Sequence, residues 1–109
     1  MPIRLPIAAA VAFLMGAIVG VQAAATITVA QRGLVFDKTS TTLAKGDRII
    51  FTNADDVIHN IHVFGDGDDL KDLGLQKPGA TLSYAFDKAG PYTVRCNIHP
   101  SMKMAVTVK

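Results

Sequence analysis

Seven residues near the end of the chain, Cys96-Asn97-Ile98-His99-Pro100-Ser101-Met102, hold the only cysteine, one of three histidines and one of four methionines. A thiol, an imidazole and a thioether this close together suit the binding of a copper ion, because soft sulfur donors combined with imidazole select that metal. The cluster also constrains the fold. Its three donors leave a place that only a distant histidine can fill, so the chain must bring a remote segment against this loop. A His₂Cys set with a weak axial methionine is the type 1, or blue-copper, electron-transfer arrangement.

The 109 residues suffice for one small domain. Residues 1–25 read as a signal peptide. Arg4 gives a positive start, residues 5–21 are apolar and uncharged, and Val21-Gln22-Ala23 and Ala23-Ala24-Ala25 both have the small-residue pattern of a cleavage site. Cleavage after Ala23 or Ala25 leaves residues 26–109 as a domain in the periplasm. The apolar stretch is long for a leader, so an uncleaved membrane anchor is the rival reading. Either way the domain lies outside the cytoplasm, where a lone cysteine forms no internal disulfide. A buried, inert cysteine is the bland explanation; the neighbouring His99 and Met102 argue for a ligand.

Net charge is +2 and no basic run occurs, which excludes a nucleic-acid partner. All nine acidic residues are aspartates, and Asp66, Asp68, Asp69 and Asp72 fall in one short segment. The expectation there is a solvated loop, with a docking patch for a basic partner as the sharper alternative. The segment lacks the distal glutamate of an EF-hand.

Strand signals dominate. Residues 26–29 alternate polar and apolar, residues 34–36 resume the run after Gly33, and residues 39–42, three of them β-branched threonines, are polar and precede Leu43. Residues 48–52, 57–64, 80–86, 92–96 and 105–109 follow, with turns at Lys45-Gly46-Asp47, Pro78-Gly79 and Ala89-Gly90-Pro91. Residues 65–77 read as a Gly/Asp-rich connection with a short helical turn at 70–73. Seven to eight short strands predict an all-β, antiparallel Greek-key β-sandwich.

Two histidines compete for the distant position. In the strand expected over residues 57–64, His59 shares the apolar face with Val57, Ile61 and Val63, whereas His62 lies opposite with Asn60. Parity therefore favours His59 as the ligand and leaves His62 as an exposed strand histidine.

With these residues in place, the sequence resembles the small blue copper proteins of the cupredoxin family, in the plastocyanin, amicyanin and pseudoazurin group. His59-Asn60 resembles the family's upstream ligand pair. Leu34 and Phe36 fall at a surface leucine and a core phenylalanine. Residues 90–96 resemble the approach to the cysteine, and residues 96–102 the short ligand loop of amicyanin. The resemblance implies His59, Cys96, His99 and Met102 as ligands of one copper ion cycling between Cu(I) and Cu(II). Met104 is the rival axial residue; the spacing to Val106 and Val108 in that group favours Met102 and makes Met104 a packing residue. Asn60 is implied to brace the two ligand segments, and its backbone N–H to reach the cysteine sulfur. Ile98 stands where much of the group has proline, so its N–H is expected to add a second such bond and raise the potential.

The function expected is an exported, monomeric electron carrier, not an enzyme, working between redox partner proteins and free of the membrane once cleaved. The alternative is a copper-delivery protein without an electron-transfer role.

Overall fold

A computed structural model describes residues 23–109; all but the last three residues of the signal peptide expected over 1–25 lie outside them. Eight strands form among the described residues: β1 (Thr26–Gln31), β2 (Ser40–Leu43), β3 (Asp47–Asn53), β4 (His59–Gly65), β5 (Asp68–Gln76), β6 (Thr81–Phe86), β7 (Gly90–Arg95) and β8 (Lys103–Val108). A small sheet has the order β1-β3-β6 and a large one the order β2-β8-β7-β4-β5. This is the expected all-β sandwich. Four strand pairs are antiparallel, but β1–β3 and β2–β8 run parallel. Those pairs arise because the chain leaves the small sheet after β1, contributes β2 to the large one and returns as β3. Parallel neighbours need such a crossover in place of a hairpin.

The core follows from a period of two. β3 buries Ile49 and Phe51 while Arg48 faces out, and β8 buries Met104, Val106 and Val108 while Lys103, Ala105 and Thr107 face out. Val29, Leu43, Ile61, Val63, Phe86 and Val94 complete it from the facing strands. Phe36 meets Phe51 edge-on at 6.3 Å, a geometry aromatic pairs prefer.

At one end, buried amides tie the sheets together. Gln76 of β5 donates through Nε2 to Phe51 O at 2.7 Å and Ala80 O at 2.8 Å, and accepts from Gln31 of β1. Asn53 donates to Gln76 O and Val57 O, both at 2.8 Å. Gln76 is also the register partner of His59, so this network fixes the start of β4.

Two segments depart from expectation. Residues 34–36 do not make a strand: Gly33 (φ 69°) and Leu34 (φ 62°) turn the chain, and Phe36 bridges back to Gln31. Residues 65–77 are not a loop with a helical turn but largely strand β5. Asp66 (φ 45°) and Gly67 (φ 89°) form a two-residue turn between the paired Gly65 and Asp68, and Asp-Gly suits such a turn because both residues tolerate positive φ. β5 is a sheet edge, mostly exposed and charged. Charges on an edge block pairing with other chains, and they erase the alternation that reveals a strand.

Candidate metal centre

His59 is the first residue of β4, not the third as the sequence suggests, and Val57 before it is exposed. His59, Ile61 and Val63 are fully buried on the core face. β4 pairs with β7 through His62 and Arg95. Continuing that register beyond β7 sets His59 against the loop that begins at Cys96.

The donors converge there. His59 Nδ1 lies 3.2 Å from His99 Nδ1, and Cys96 Sγ lies 3.9 Å from His59 Nδ1 and 3.6 Å from His99 Nδ1. His59 and Cys96 are buried and His99 is half-buried. A triangle with these sides has a circumscribed radius of about 2.1 Å, within the range of metal–imidazole and metal–thiolate bonds. One ion at the centre reaches all three atoms without rearrangement, so the residues fit a copper ion.

His59 is oriented from behind. Its Nε2 is 2.7 Å from Asp55 Oδ2. A carboxylate accepts, so Nε2 carries the proton and Nδ1 presents a lone pair to the centre. The Asp55 carboxylate also accepts the Gly33 and Leu34 N–H groups. Desolvation pushes its carboxyl up, but the hydrogen bonds from Leu34, His59 and Gly33 outweigh this and hold it at about 2. Asp55 was missed in the sequence; the available signal was a carboxylate four residues before a candidate ligand.

The ligand loop closes on itself. Cys96 N–H donates to Met102 O at 3.1 Å, and Met102 N–H donates to His99 O at 2.8 Å. Met102 and Met104 are both buried, but Met104 sits inside β8 opposite Val94, among core residues. Asn60 reaches the loop by its side chain: Oδ1 accepts the Asn97 N–H at 2.8 Å, and Nδ2 donates to Asp72 Oδ1 at 2.8 Å and Gly74 O at 3.2 Å. Among the described residues Cys96 Sγ receives no hydrogen bond from the backbone of Asn60 or Ile98. Ile98 itself is exposed, and the Cys96 Sγ contacts described are to the two histidine rings.

His62 is on the face predicted but is not exposed. Only 9% of it is accessible. Its Nε2 is 2.7 Å from Asp69 Oδ1 and its Nδ1 is 2.7 Å from Asn97 Nδ2, while its ring stacks on Phe64 at 4.3 Å. Asp69 and Asp72 are therefore anchored in contacts with β4, not free in a solvated loop. Leu34, Val35, Val57, Ile58 and Ile98 are large apolar residues left exposed, and Leu34 is tied to His59 through Asp55.

Comparison with known proteins agrees with this geometry. Residues 23–109 match the family of copper binding proteins described as plastocyanin/azurin. The methylamine utilization protein MauL of Methylorubrum extorquens is 35% identical over 63 residues, 58% of this chain and 55% of that protein. MauL of Methylophilus methylotrophus is 32% identical over 65 residues, 58% of this chain and 37% of that protein. The chain thus spans about half the length, or less, of these relatives. Among solved structures, a purple cupredoxin from Nitrosopumilus maritimus superposes with a TM-score of 0.69 at 21% identity, covering 76% of this chain and 99% of that one. A reduced Cu(I) form of an amicyanin mutant superposes with a TM-score of 0.70 at 24% identity, covering 81% and 86%. These two likenesses show the fold.

Proposed function

The chain belongs to the plastocyanin/azurin family of copper-binding proteins, and from that membership we propose that it is an exported electron carrier. The observation that carries the reading is the convergence of His59 Nδ1, Cys96 Sγ and His99 Nδ1 around one point. Copper supplies the one-electron Cu(II)/Cu(I) couple when bound. His59, Cys96 and His99 would hold the copper as strong ligands and Met102 as a weak one, with Met104 left to the core. The chain's contribution is rigidity: Asp55 fixes one ring, and the Cys96–Met102 backbone bond fixes the loop. Donors held still cost little rearrangement when the charge changes, which favours fast electron exchange. His99, half-buried beside exposed Ile98 and Pro100, provides the exit. The carrier works in the periplasm as a monomer between protein redox partners and carries out no catalysis of its own.

Export by residues 1–25 is part of the same proposal. Copper delivery is the second reading, since the same donors hold Cu(I). A visible spectrum separates them. The purified domain with Cu(II) gives an intense visible band that disappears in Cys96→Ser; a colourless wild type sinks the carrier.

A further inference from the structure

We propose that His62 is a positioning residue for Cys96, acting through the side chain of Asn97; this rests on the copper reading above and deepens it. His62 stands on the face of β4 opposite His59 and is no part of the donor cluster. A buried polar ring destabilises the fold unless its nitrogens are partnered, and both are. Asn97 Nδ2 is 2.7 Å from Nδ1, and Asp69 Oδ1 is 2.7 Å from Nε2. An amide nitrogen only donates, so Nδ1 is the bare nitrogen and Nε2 carries the proton given to Asp69.

The result is one directed chain, Asn97 to His62 to Asp69, running from the residue after Cys96 to the edge strand β5. Reversing the Asn97 amide would put a proton on Nδ1. Nε2 would then face the Asp69 carboxylate without one, unless the ring became an imidazolium. The neutral ring and the Asn97 orientation therefore specify each other. The other charged groups around His62 are Asp72, whose Oδ2 is 3.9 Å from Nδ1, and its strand partner Arg95, whose guanidinium covers Phe64 at 5.0 Å.

Asn97 is thus held twice. Asn60 takes its backbone N–H and His62 takes its side chain. Two bonds on the residue following Cys96 fix the peptide plane next to the sulfur, and the dipoles around a cysteine sulfur tune the potential of such a site.

Nitrogen-15 NMR of the metal-free protein at pH 8 tests the geometry. The expected result is a protonated Nε2 and a bare Nδ1 on His62, with Asn97 carboxamide protons exchanging about fivefold more slowly than in His62→Leu. A protonated Nδ1 overturns the proposal. In the copper-loaded protein, His62→Leu and Asn97→Ala should each shift the reduction potential and the visible band in one direction. The double variant should shift them no further than either single variant, as two ends of one bond require. His62→Gln, which accepts from Asn97 and donates to Asp69, should restore the wild-type values. An unchanged potential in His62→Leu, or additive shifts in the double variant, overturns the proposal whatever happens to the melting temperature. If His62→Leu does not fold, Asn97→Ala, at an exposed position, takes its place, and an unchanged potential there overturns the proposal equally. A colourless wild type defeats the copper reading and this role together, whereas a coloured wild type with unaffected variants defeats this role alone.

Discussion

Asp55 Oδ2 and His59 Nε2 lie 2.7 Å apart on residues four positions apart in sequence. The carboxylate points the ring's other nitrogen at Cys96 and His99, so the acid sets the donor without belonging to the donor set. Outer-shell partners of this kind are worth about 10- to 100-fold in metal affinity. Asp55→Ala should weaken copper binding by that factor, measured by competition with a chelator. An unchanged affinity would show that packing alone orients His59.

Acid should act through the same residue. The folded protein holds Asp55 at about 2, below the ordinary 3.8. Asp47 is also lowered, first by the Ala25 N–H and then by the Ala44 N–H. Groups depressed in the folded state contribute stability that is complete above their unfolded pKa and is lost as pH falls through the folded value. Metal-free protein should therefore lose stability between about pH 4 and pH 2. Urea unfolding at stepped pH should show a shallower decline in Asp47→Asn and Asp55→Asn; an unaltered slope refutes the assignment.

Gln76→Leu should be costly although the volume is kept. Gln76 satisfies Phe51 O and accepts from Gln31 at buried positions, and satisfies Ala80 O at a half-buried one. Leaving these groups unpaired should cost about 2–4 kcal/mol. Calorimetry should then find the melting temperature lower by at least about 10 °C. A drop of a degree or two would mean that water enters and replaces the amide.

Copper should stabilise the domain by binding the folded form. At a hundredfold excess over the dissociation constant the gain is about 2.7 kcal/mol, or roughly 10–20 °C in a domain this small. Cys96→Ser should abolish most of that shift while melting near the wild-type temperature without metal. Equal shifts in both proteins would place the copper elsewhere.

Strand parity placed His59 on the core face with Ile61 and Val63, where it meets Cys96 and His99. Parity also put His62 on the other face, but that face proved to be covered. The covering element is β5, whose charged sequence lacks alternation and whose register with β4 shifts twice, between Ile61 and His62 and between Val63 and Phe64. A pattern that reports only hydrophobic burial cannot show an edge strand that buries a polar ring. The Asp66-Gly67 turn was the legible clue to that strand. Asp55 was invisible for another reason: its role depends on where the turn at Gly33 and Leu34 folds back, a contact 22 residues away.

The ligands of the proposed site are unequally distant along the chain. Cys96, His99 and Met102 are neighbours in any conformation, while His59 arrives only when β4 docks beside β7. An unfolded chain therefore already owns a local sulfur-and-imidazole chelate. Metal that binds the unfolded chain reduces the stabilisation the folded form gains. Copper that meets the chain early is held in an incomplete complex that docking must convert, whereas copper arriving after docking finds the three donors assembled. The order in which the protein meets its metal and its fold thus decides how much of the metal's affinity is expressed as stability.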